Sequence, residues 1–104
     1  MATVIVLFNL KAGVDRAEYL AWAKSADLPT VRSLASVDSF RVLASSGLLG
    51  GGAAPYEYVE IIEVADMDGL LSEVGSPQMQ AIASAFQNYA DAPTFIVTES
   101  IEAN

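Results

Sequence analysis

Residues Thr3 to Leu10 (TVIVLFNL) form an almost unbroken β-branched and aromatic run, the pattern of a strand buried on both faces. Lys11-Ala12-Gly13 turns the chain, and Asp15 with Glu18 three residues on resembles a capping box at a helix start. Tyr19, Trp22, Ala23 and Ala26 follow at helical spacing, which predicts a helix laying an aromatic stripe on an apolar surface. Pro29 either ends that helix or opens a short second one through Val31 and Leu34. Ser39 to Ser45 (SFRVLAS) and Tyr56 to Val64 (YEYVEIIEV) read as strands. The Gly-rich connector Ser46 to Pro55 between them exceeds the usual hairpin loop and is expected to be a mobile flap. Asp66 caps a helix carrying Met67, Leu70, Leu71 and Val74, which Gly75 terminates. Ser76-Pro77 opens another with Met79, Ile82, Ala83 and Phe86, and after Pro93 a last strand runs from Thr94 to Ile101.

The order β-α-β-β-α-β predicts an α+β domain of the ferredoxin-like kind over residues 1–104, a four-stranded antiparallel sheet with helices on one face. No internal repeat or linker interrupts it. The first strand is apolar at Val4, Val6 and Phe8 but also at Ile5 and Leu7, so one apolar sheet face is left over. Four strands about 4.8 Å apart and roughly 20 Å long present on the order of 400 Å² there, at or above what a monomer usually exposes. A second copy meeting it about a two-fold axis is the simplest cover, since such an interface needs one self-complementary patch. A homodimer through the sheet face, closing a shared barrel-like core, is therefore expected.

Composition narrows the chemistry. With 53% apolar and 17% charged residues the chain is not disordered. It has neither cysteine nor histidine, which removes disulfides, thiol and imidazole catalysis, thiolate zinc sites and imidazole haem ligation. A net charge of -8 argues against nucleic acid or an anionic membrane as partner. All five basic residues (Lys11, Arg16, Lys24, Arg32, Arg41) lie in the first 41 positions, so residues 42–104 hold nine acids and no base. A carboxylate buried in that half must find its cation in the first half or stay protonated. The start MATVIVLFNLK has no basic n-region and its apolar run is short, so a cytoplasmic location without signal peptide or membrane span is expected.

Two constellations could carry chemistry. If the connector simply closes a hairpin with Ser45 opposite Tyr56, Arg41 faces Glu60 and Leu43 faces Tyr58, while Phe40 and Val42 sit on the other face against Ile61 and Val59. Arg41, Tyr58 and Glu60 then share a face. They form either a structural ion pair or a site in which Arg41 anchors a ligand oxygen and Glu60 or Tyr58 moves a proton. The second constellation, Tyr19, Trp22 and Phe86 with Asn9, is either core packing or the wall of a pocket for an aromatic ligand, with Asn9 holding a carbonyl or hydroxyl. No metal and no cofactor is expected: Glu57, Glu60 and Glu63 alternate faces, Asp66 and Asp68 belong to a helix start, and Gly50-Gly51-Gly52 lacks the context of a nucleotide loop.

The stretches Asp27-Leu-Pro-Thr-Val-Arg32, Ser36-Val-Asp-Ser-Phe-Arg-Val42, Tyr56 to Val64, Ser76-Pro-Gln-Met79 and Phe95-Ile-Val97 together resemble the RedY/HapK-like proteins of the dimeric α/β-barrel superfamily, over nearly the whole chain. The resemblance implies that fold, a homodimer, and an accessory role in secondary metabolism of the prodiginine-pigment kind. It implies an apolar, aromatic or polyketide-like small molecule as partner, with condensation, cyclisation or proton transfer as the step assisted. A cofactor-independent monooxygenase acting on a phenol or quinol is the alternative; Asn9 and Trp22 match residues of such oxygenases by type alone. A structural dimerisation module without ligand is the third.

Overall fold

The computed structural model describes residues 2–102. Strand β1 spans Ala2–Leu10, helix α1 Arg16–Trp22, a π-helical turn Ala23–Asp27 and helix α2 Leu28–Arg32; strands β2 and β3 are Val37–Ala44 and Tyr58–Val64; helices α3 and α4 are Met67–Glu73 and Pro77–Tyr89; strand β4 is Ala90–Thr98. The strands form one antiparallel sheet of order β2-β3-β1-β4, the ferredoxin-like topology, with β1 and β3 inside as their apolar runs require. Gly13 holds φ at +84° in the turn after β1, a conformation that other residues resist. Asp15 caps α1 by accepting the Ala17 N–H, and Ser76 caps α4 by accepting the Met79 N–H.

Val4, Val6 and Phe8 of β1 pack with Tyr58 and Val64 of β3, Tyr19 and Ala23 of the first helical segment, and Phe86 of α4. A second cluster of Val31, Val37 and Phe40 continues it. Residues at the intervening positions, Ile5, Leu7, Val59, Ile61, Leu43 and Ile96, point to the opposite sheet face, and none of them joins either cluster. Among the described residues no helix is long and apolar enough to cross a membrane.

The β2–β3 register departs from the hairpin expectation by one residue. Arg41 pairs with Ile61, and Val42, not Arg41, lies opposite Glu60. The expected offset survives only at Val37↔Val64, and the ladder shifts before Ser39↔Glu63. Strand β3 is apolar on both sides of its pleat, so its own pattern does not choose a face. Pairing with β1 does: Phe8 opposite Tyr58 and Val6 opposite Glu60 commit the even-numbered residues of β3 to the helices. Phe40 and Val42 follow them inward, and Arg41 is turned to the other face, exposed. Arg41, Tyr58 and Glu60 therefore do not share a face.

Two further elements differ from the sequence pattern. Strand β4 begins at Ala90, before Pro93, and ends at Thr98. A register shift against Leu7 and Asn9 accommodates the proline, with Ala92 at φ 44°. The connector after β2 is tied down at its base: Asn9 donates to the Pro55 carbonyl and accepts the Glu57 N–H, and the Ser45 N–H donates to the Glu57 carbonyl.

Candidate functional site

The first helix does not stop before Pro29. Proline offers no N–H to the Ser25 carbonyl and crowds it, and the backbone widens upstream, where the Leu28 N–H reaches back five residues to the Ala23 carbonyl. A wider turn changes which residues face inward. Tyr19, Ala23 and Asp27 are buried, whereas Trp22 and Ala26 are only half-buried. An acid thus replaces the expected alanine on the buried stripe, at a kind of helical defect often found at functional sites.

Asp27 meets Glu60 across a cavity of about 320 Å³ between helices and sheet. Phe40, Ile62, Met79, Ala83 and Phe86 are among its walls; Asp27, Glu60, Gln80 and Gln87 are its polar members. Phe95 also lines it while remaining 60% exposed, which puts the opening beside β4. The connector Ser46 to Pro55 contributes no wall, so it is not a flap over this cavity.

Only 4% of Asp27 and 5% of Glu60 is exposed, and among the described residues neither has an ion-pair partner. Burial, and after it the Asp27 charge, pushes the Glu60 carboxyl up to about 8; burial alone raises Asp27 to about 6. Both carboxyls are held toward the protonated form, Glu60 the more strongly, so one cavity contains two carboxyls able to hold and exchange a proton. Tyr19 lies far above the ordinary phenol range, chiefly through burial and then through Glu60, Asp27 and Tyr58. The cation shortage of the second half of the chain is met at Glu60 by protonation. Arg16 instead pairs with the half-buried Glu57, at 2.9 Å.

Of the residues singled out from the sequence, Glu60 and Phe86 line the cavity. Tyr58 stacks on Phe8 at 5.5 Å and Tyr19 meets Phe8 edge-on at 5.8 Å; both are fully buried behind the cavity wall. Trp22 stacks on Phe86 at 6.4 Å, one layer out from the lining. The Asn9 amide has both ends engaged with the connector backbone. Arg41 lies on the far side of the sheet. The sequence pattern does not mark Asp27 as a site residue. Its signal was an acid eight residues after Tyr19 and two before a proline, a position that a regular helix would not point inward. Among the described residues no group of His, Cys, Asp and Glu is placed to hold a metal ion.

The model of the family described as REDY-like protein HapK matches residues 2–101. Among solved structures, HapK from Hahella chejuensis is similar at 24% identity and a TM-score of 0.81, covering 100% of this chain and 96% of that one. SnoaB, a cofactor-independent oxygenase from Streptomyces nogalater, shares the fold at 14% identity and a TM-score of 0.75, covering 98% of this chain and 94% of its own. A dimeric ferredoxin-like protein of unknown function from Thermobifida fusca does so at 15% identity and a TM-score of 0.73, covering 95% of this chain and 90% of its own. No curated protein matches the chain.

Proposed function

Because the chain belongs to the REDY-like HapK family, we propose that it is a homodimeric accessory protein of secondary-metabolite biosynthesis, of the prodiginine-pigment kind. It binds an apolar aromatic or polyketide-like intermediate and moves a proton on it. The observation that carries this reading is the pair of carboxyls, Asp27 and Glu60, opening on one largely apolar cavity. A cavity of roughly 150 Å³ holds one benzene ring, so about 320 Å³ has room for two. Asp27 accepts the proton and Glu60 supplies one, while the apolar walls exclude water and fix the ligand's orientation. The dimer is supported by the uncovered apolar sheet face and by the dimeric state of the Thermobifida fusca neighbour.

Trp22, the single tryptophan, stacks on a wall residue and reports on occupancy. Titration with two-ring aromatic compounds is expected to change its emission saturably, and Ala83→Phe, which fills the cavity, to abolish the change. Silence across a broad aromatic and polyketide-like panel favours the ligand-free structural module. The oxygenase reading predicts O₂ consumption with a quinol; among its candidate residues, Asn9 is engaged elsewhere and Trp22 stands outside the lining.

A further inference from the structure

Each of the five basic side chains stands outside the cavity lining. Arg16 is engaged with Glu57, the Arg32 Nε donates to the Phe40 carbonyl, Arg41 lies on the far sheet face, and Lys11 and Lys24 are exposed. Two carboxyls do line the cavity, each more than nine-tenths buried. Among the described residues neither has an ion-pair partner, and Glu60 Oε2 is buried without a hydrogen bond. A buried acid is relieved by a cation, by hydrogen bonds or by protonation. Burial pushes both of these toward protonation, which is the only relief the chain itself provides for Glu60 Oε2. A ligand can supply the first kind. The walls point the same way: Phe40, Phe86 and Phe95 line the cavity, and an aromatic face attracts positive charge as well as stacking on another ring. Gln80 and Gln87 complete the polar lining without charge, and the Gln80 amide nitrogen already donates to the Val74 carbonyl.

We propose that the cavity takes an aromatic compound carrying a protonated nitrogen, an amine or an amidine, whose positive charge Asp27 and Glu60 hold while its rings lie among Phe40, Phe86 and Phe95. This deepens, and rests on, the reading of the cavity as a small-molecule site, and it names the charge of the occupant. The two carboxyls belong to different elements, Asp27 to the end of the π-helical turn and Glu60 to β3. A nitrogen with two or three N–H groups can donate to both, and a charge-assisted bond of that kind is stronger than a neutral one. As the charge enters, each carboxyl is drawn back toward its ionised form, so the pair gains most from a ligand that brings a full positive charge. Tyr19 and Tyr58, the titratable groups packed behind them, carry no positive charge and do not line the cavity. A ligand carboxylate or phosphate would meet two acids and no base. A neutral ring compound would leave the acids as they are.

The test titrates the full chain by calorimetry at about pH 7 with three compounds that share a two-ring body. They are 2-naphthylmethylamine, a cation, 2-naphthylmethanol, which is neutral, and 2-naphthoate, an anion. The amine is expected to bind at least about 10-fold tighter than the alcohol, and the naphthoate weakest of the three. The series is repeated in about 0.5 M salt, where attraction of a cation to the surface of a chain of net charge -8 is screened and a buried pair much less so. That comparison needs only the wild-type protein. Asp27→Asn and Glu60→Gln keep the side-chain shape and remove the acid. Each should weaken the amine about 10-fold or more and leave the alcohol within about 3-fold, with thermal unfolding verifying that both variants fold. An amine bound no tighter than the alcohol in salt, or bound equally by the wild type and both folded variants, overturns the cationic occupant and leaves the cavity reading intact. Failure of all three compounds to bind overturns both.

Discussion

Glu60 occupies a position that alternation along β3 assigns to neither face, and at 5% exposure it is a carboxyl in the core without a cation. Its pKa of about 8 against an ordinary 4.5, with Asp27 at about 6 against 3.8, sets the sign of a pH dependence. Between those values the folded chain keeps protons that the unfolded chain releases. The stability they contribute is present below the ordinary carboxylate range and is lost as the pH climbs to about 8. Unfolding free energies from urea titrations at about pH 5 and about pH 8 are expected to differ by a few kcal/mol, the acid side being more stable. In Glu60→Gln the part of that slope nearest pH 8 should disappear. Arg41, turned to the face away from the cavity, is expected to leave ligand binding unchanged in Arg41→Ala, with stability moving by no more than about 0.5 kcal/mol in the isolated chain. A tight coupling of Arg41 to Glu60 in a double-mutant cycle would contradict the register.

Among the elements, the π turn brings Asp27 to the site and the β2–β3 ladder keeps Arg41 away from it. Both are single-residue adjustments, one to a proline that cannot continue a helical bond pattern and one to pairing with a third strand. Helix α4 brings Met79, Ala83 and Phe86 to the cavity, and its start depends on the Ser76 side chain. Ser76→Ala is expected to cost about 1 kcal/mol of stability by urea unfolding. Asn9 matters at the same scale: its amide joins the end of β1 to the connector through two backbone groups. Asn9→Ala is expected to destabilise by about 1–3 kcal/mol, with ligand-induced change in Trp22 emission retained.

For the whole molecule, the outward Ile5, Leu7, Val59 and Ile61 of the two central strands form an apolar surface that this chain's helices leave uncovered. Joined to a second copy, they would supply the core that a chain of 104 residues is small to build alone. Sedimentation at micromolar concentration is expected to give twice the 11.0 kDa chain mass, and Ile61→Lys to give the single chain. A monomeric wild-type protein would remove this surface from the argument while leaving Asp27 and Glu60 where they are.

By itself the sequence determined the elements, their order, the sheet with helices on one face, and the shortage of cations in its second half, because periodicity and composition are local and additive properties. It also marked Glu60 and Phe86. Only the tertiary structure decided that Glu60 faces inward, since a strand apolar on both sides takes its face from its neighbours. It alone placed Asp27 on the buried stripe, since a single turn of different pitch rotates every residue after it. The two carboxyls of the cavity owe their meeting to that turn and to the pairing of β3 with β1, which no residue-by-residue pattern records.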